Sequence, residues 1–178
     1  MGTSIAVDDY DGDGWDDIAG GGPGKVDSGD DPLGPEGHVM IWKGTPTSGF
    51  TTSAGSINAM LFEPVVQTPD DKNMYGFTLA WADTDGAGQL DLVIGAPGAV
   101  PPARHGLVYI ANATSGTDPI NWSQTSFGDP SQNANERFGW AVAAATRIGT
   151  ALTDIIVGAT HANIPGTLDT GEAFAWNY

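Results

Sequence analysis

The sequence predicts an all-β chain of short antiparallel strands joined by many turns. Three observations lead there: short runs of apolar, β-branched and aromatic residues, 26 glycines and 12 prolines that punctuate them, and no long amphipathic helical pattern. At 178 residues the chain suits a single domain with a core of its own. No apolar run is long enough to cross a bilayer as a helix, so no membrane span is expected.

The strands come in three copies of one unit. The segments MGTSIAVDDYDGDGWDDIAGGGP from Met1, YGFTLAWADTDGAGQLDLVIGAPG from Tyr75 and FGWAVAAATRIGTALTDIIVGAT from Phe138 align without gaps. In each, a glycine (Gly2, Gly76, Gly139) precedes an aspartate by 15 residues (Asp17, Asp91, Asp154), and a second glycine (Gly21, Gly95, Gly158) follows four residues later. This part reads as a strand, an acidic turn and a second strand. A third strand follows after a loop of variable length, in GHVMIWKG from Gly37, GLVYIANA from Gly106 and GEAFAWNY from Gly171. A fourth is expected around Ile57 to Val66 and around Ile120 to Thr125, and none in the third copy, which ends at Tyr178.

Four sequential antiparallel strands per unit describe β-propeller blades. The expected division is one domain of three blades, about residues 1–73, 74–136 and 137–178, the last lacking its fourth strand. The first glycines are spaced 74 and then 63 residues apart, and the surplus over a compact blade falls in loops such as Gly24 to Glu36.

The pattern of Tyr75-Gly76 or Phe138-Gly139, an Asp-rich turn, the run DLVIGAPG and then a glycine before an apolar strand resembles the FG-GAP repeat of integrin α-chain propellers and bacterial secreted proteins. The resemblance covers essentially the whole chain. It departs at Met1, which replaces the aromatic residue, at Gly21-Gly22-Pro23, and at Gly158-Ala159-Thr160, which lacks the proline. It implies a propeller, calcium in the turns, an extracellular or cell-surface setting, and adhesion or ligand binding through loops on one face. One fold hosts many activities, so it implies no single one.

The formal charge is −16, from 22 acidic against six basic residues, and only Glu36, Glu63, Glu136 and Glu172 among the acids are glutamates. Aspartate is the shorter side chain, suited to turns and oxygen-ligand loops. The basic residues are scattered, which argues against nucleic acid as a partner. With no cysteine there are no disulfides, thiol redox chemistry or thiolate zinc sites. No signal peptide is visible, so an extracellular protein would be a mature or trimmed form.

Six aspartates crowd the ten residues Asp8 to Asp17. Asp9, Asp11 and Asp13 alternate, Gly14 permits a sharp turn, Trp15 offers its carbonyl, and Asp17 closes the set. Such alternating oxygen ligands suit a hard cation, with Ca²⁺ the expected cofactor. An EF-hand would need an acid at the twelfth position, where Gly20 stands, and flanking helices. Without a cation, carboxylates about 4 Å apart repel by roughly 1 kcal/mol per pair in water and roughly 4 kcal/mol near a protein surface. The second turn offers Asp83, Asp85, the Gln89 carbonyl and Asp91, but Ala87 replaces the third carboxylate, making it the weaker candidate. In the third, Thr146, Ile148 and Thr150 leave only Asp154, which suits hydrogen bonding within the turn.

No catalytic constellation emerges. There is no GxSxG elbow, and His38, His105 and His161 fall in different repeats without metal-type spacing. Trp15, Trp42, Trp81, Trp122, Trp140 and Trp176 lie mostly in or beside strands, which suits packing; one exposed at a blade tip would stack on sugars, keeping a glycan ligand and a polysaccharide-active enzyme as alternatives. Propellers close with about four to eight blades. The chain is therefore expected to work with a partner: self-association of two copies, or another chain that completes the ring.

Overall fold

The computed structural model describes residues 2–24, 37–46, 57–62, 73–99, 105–113, 123–127, 136–146, 153–161 and 170–176. The architecture is all-β. Strands β1 (Ser4–Asp8), β2 (Asp17–Gly21), β3 (His38–Trp42) and β4 (Ile57–Phe62) form the first sheet, in that order. Strands β5 (Thr78–Ala82), β6 (Asp91–Ala96), β7 (Leu107–Asn112) and β8 (Ser123–Phe127) form the second. Strands β9 (Phe138–Thr146), β10 (Thr153–Ala159) and β11 (Glu172–Trp176) form the third. Every pairing is antiparallel between neighbours in sequence, so each sheet is a meander drawn from one repeat copy. The fourth strand expected around Ile120 to Thr125 is described from Ser123, which pairs with Asn112, and Ile120 lies outside the described residues. Residues 25–36 and 147–152, Trp122 and Tyr178 lie outside the described residues.

The three sheets pack face to face. Because strands alternate, each sheet has two faces, and the burial pattern says which are covered. In β6 every residue is buried, as befits a strand covered on both sides, whereas in β1 only Ala6 is buried and Ile5 and Val7 face outward. One core joins sheets one and two: Ala6, Ala19, Val39 and Ile41 meet Leu79, Trp81, Leu92 and Ile94. The other joins sheets two and three: Val93, Val108 and Ile110 meet Phe138, Ile155 and Val157. Burial of a Val, Leu or Ile side chain contributes about 1.5–3 kcal/mol, so these two layers dominate the fold's stability.

The repeat glycines mark the seams. A Cβ on Gly21 would stand 1.9 Å from the Gly76 carbonyl oxygen, and one on Gly95 2.3 Å from that of Gly139. Gly37 and Gly106 press in the same way on the backbones of Tyr75 and Phe138, two fully buried aromatic residues. The Ser4 hydroxyl donates to the Gly76 carbonyl at 2.9 Å, and the Thr78 hydroxyl to the Gly139 carbonyl at 3.1 Å. Gly76 and Gly139 have φ of 83° and 87°, a region in which any other residue would be strained.

Candidate metal centre

The acidic turn joins β1 to β2 and is organised by its first aspartate. Asp9 Oδ1 accepts from the backbone N–H groups of Gly12 and Asp13 at 2.8 and 3.0 Å, and Oδ2 accepts from Gly14 at 2.8 Å. Gly12 and Gly14, at φ of 76° and 89°, give the backbone the curl that aims these N–H groups inward. The second turn repeats the device: Gly86 and Gly88 donate to the two oxygens of Asp83 at 2.7 and 3.2 Å. The repeat alignment pairs Gly12 with Gly86, a signal of the curl that the metal-ligand reading left unused.

Asp17 ends the turn and is fully buried. Its Oδ2 accepts from Tyr10 N–H at 3.2 Å and its Oδ1 from Gly44 N–H at 2.7 Å, so it ties the turn to the chain just beyond β3. Asp91 is the counterpart in sheet two, accepting from Thr84 N–H at 3.1 Å, Ala113 N–H at 2.8 Å and the Thr84 hydroxyl. Burial raises the Asp17 carboxyl from its ordinary 3.8 to about 6; the two N–H bonds oppose the shift and the charges of Asp11 and Asp13 add to it. Burial likewise raises Asp91.

Carboxylate oxygens of Asp9, Asp11 and Asp17 lie within 4.8 Å of one another, the one such group of acidic or imidazole side chains found among the described residues. Calcium binds oxygen at about 2.3–2.6 Å, so two of its ligands are at most about 5 Å apart, and the trio fits that ion. Both Asp17 oxygens keep a lone pair beyond the one each gives to an N–H group. Asp13 is not in the trio. Its Oδ1 accepts from Trp15 N–H at 3.0 Å, and its Oδ2 lies 3.2 Å from Lys43 Nζ, which also pairs with Asp11 Oδ2. Asp11 raises the Lys43 pKa through its hydrogen bond, with Asp13 assisting.

Lys43 is the residue that sequence reasoning missed. It sits 32 positions from Asp11 and is brought over the turn by the end of β3. One ammonium does not balance the six carboxylates between Asp8 and Asp17. In the second copy Asn112 stands at the matching position, where Ala87 has also replaced the third carboxylate. Asp83 and Asp91 are buried in the second turn, Asp85 is exposed, and Gln89 is half-buried.

The turns also join one sheet to the next. Leu90 N–H donates to the Tyr10 carbonyl at 3.0 Å, and the Tyr10 ring stacks on Trp81 at 5.4 Å. Thr153 N–H donates to the Asp83 carbonyl at 3.0 Å, and its hydroxyl accepts from Asp83 N–H at 3.2 Å. Of the histidines, His38 is buried in β3 with Nδ1 3.1 Å from the Gly22 carbonyl, and Nδ1 of His161 lies 2.8 Å from the Thr160 hydroxyl. Trp81, Trp140 and Trp176 pack on Tyr10, Phe77 and Phe138, whereas Trp15 is 46% exposed on the acidic turn. Compared with known proteins, the chain matches no protein-family model and no curated protein.

Proposed function

We propose that the chain is a calcium-stabilised segment of an extracellular β-propeller of the FG-GAP kind, a non-catalytic module for binding, adhesion or assembly. The observation that carries the reading is the trio Asp9, Asp11 and Asp17, gathered in a turn whose backbone already curls around Asp9. The blade reading rests on the three sequential meanders, each packed on the next through the same repeat positions. Calcium in this turn supplies the positive charge that Lys43 alone does not, and pins β1, β2 and the end of β3 together. An ion that binds only the folded chain stabilises it by about 2.7 kcal/mol at a hundredfold excess over its Kd.

The test is thermal melting and calorimetric titration of the chelated protein with calcium. The expected result is a rise in Tm with calcium and a heat of binding, both abolished by Asp11→Asn. No heat and no change in Tm at millimolar calcium overturn the reading. A second reading, glycan binding, is favoured by one observation: Trp15 presents an apolar ring to solvent beside several carboxylates. Binding on a glycan array that Trp15→Ala removes supports it, and a blank array rejects it.

A further inference from the structure

The acidic turn already holds one cation, and that cation belongs to the chain. Lys43 directly follows β3, and its backbone is fixed on both sides: Trp42 pairs with Ile18 in the sheet, and Gly44 N–H donates to Asp17 Oδ1 at 2.7 Å. From this anchorage the ammonium reaches Asp11 Oδ2, and Asp13 Oδ2 at 3.2 Å. The Lys43 side chain is 33% exposed, so its charged head can turn out to water while the backbone stays fixed.

Asp11 is thereby claimed twice. Its carboxylate belongs to the trio with Asp9 and Asp17, and it is also the one that Lys43 holds most closely. An ammonium has three donors and no acceptor, so it can stand beside a carboxylate oxygen but cannot join a metal's ligands. Within the chain, the lysine goes with the acids. Copy one has Asp11, Asp13 and Lys43; the matching positions are Asp85, Ala87 and Asn112 in copy two, and Ile148, Thr150 and Asn177 in copy three. The second turn is nevertheless shaped in the same way, with Gly86 and Gly88 donating to Asp83 and Ala113 N–H to Asp91. A lysine is therefore not needed to shape such a turn, and what Lys43 answers in the first is charge.

We infer that Lys43 is a tethered counter-ion: it holds Asp11 when calcium is absent, and calcium must displace it, so that this residue sets how tightly the turn binds the ion. The inference rests on the calcium reading above. Loss of the ammonium then has two linked effects. In the metal-free protein, Asp11 and Asp13 lose the charge that offsets their mutual repulsion, and the fold is weakened. On calcium binding no ion pair has to be broken, so whatever stability the pair contributed to the metal-free protein reappears as affinity.

The experiment is calorimetric titration of the chelated chain with calcium chloride, for the wild type, Lys43→Gln and Lys43→Arg, with thermal melting of each in chelator and in saturating calcium. Lys43→Gln is expected to bind calcium about fivefold tighter, the upper end of what a part-exposed ion pair contributes. Raising the salt concentration narrows the gap. Lys43→Arg, which keeps the charge, binds as the wild type does. In chelator Lys43→Gln melts below the wild type, and in saturating calcium the two coincide. Equal or weaker binding by Lys43→Gln overturns the inference and leaves the calcium reading standing. So does a Lys43→Arg as tight as Lys43→Gln, since charge is then not the cause. A Lys43→Gln that is unfolded in chelator by circular dichroism and folds in calcium supports the inference, and one that stays unfolded in calcium overturns it. Binding by neither protein overturns both readings. Binding by Lys43→Gln alone supports the counter-ion and overturns calcium as the wild-type ligand.

Discussion

Asp17 combines two demands that pull its protonation in opposite directions. Full burial favours the neutral acid, while the N–H groups of Tyr10 and Gly44 favour the carboxylate; burial prevails and the pKa rises to about 6. A pKa that is higher in the folded state means that folding takes up protons between the two values. In metal-free buffer the contribution of Asp17 to stability is therefore full below about pH 4 and lost as the pH rises through about 6. The expected outcome is a urea midpoint that falls from about pH 4 to about pH 7 more steeply in the wild type than in Asp17→Asn. Saturating calcium, which favours the ionised form, removes the extra fall. Parallel midpoint curves for the two proteins would contradict this account. The pattern of aspartates was legible in the sequence as a set of possible ligands. That Asp17 braces the turn to Gly44 was not, because a bond to a backbone N–H 27 residues away leaves no mark on side-chain spacing.

At the scale of elements, the strand pairs and acidic turns were readable because the repeat shows each element two or three times over. Gly21 and Gly95 recur at one spacing, and the structure supplies the reason: each backbone meets the carbonyl of the next sheet's first glycine. Gly95→Ala forces a Cβ to 2.3 Å from the Gly139 oxygen, which backbone cannot yield without opening the seam. Overpacking of this kind costs typically 1–3 kcal/mol. The expected loss in denaturant titration is of that order, whereas Gly24→Ala, with nothing within 4 Å of the added carbon, changes stability by less than about 0.5 kcal/mol. Equal effects at the two positions would sink the seam assignment. Lys43 was illegible for a different reason: a lone lysine at a strand end has no periodic context, and only the antiparallel register of β2 with β3 carries it to the turn.

At the scale of the whole molecule, three meanders stack so that the middle sheet lies between the other two, with one core on each of its faces. Apolar patterning in the sequence marked the strands as buried without saying on how many sides. Val7 and Trp81 occupy equivalent repeat positions, yet Val7 is 52% exposed and Trp81 8%, because only the second has a sheet in front of it. The rim connects the same layers: Leu90 N–H reaches back to Tyr10 in the first turn. Ordering the first turn with calcium is therefore expected to slow hydrogen exchange at Leu90, in sheet two, as well as at Gly12 and Gly14. Slowing confined to the first turn would show that the rim bond transmits nothing.

The rim bonds share a direction. Turn one is held by sheet two, through Leu90, and turn two by sheet three, through Thr153. The sheets thus overlap like roof slates, each pinned by the one laid after it. In such a stack pins are lost one at a time: opening turn one from Leu90 leaves the Asp83–Thr153 bonds of turn two in place.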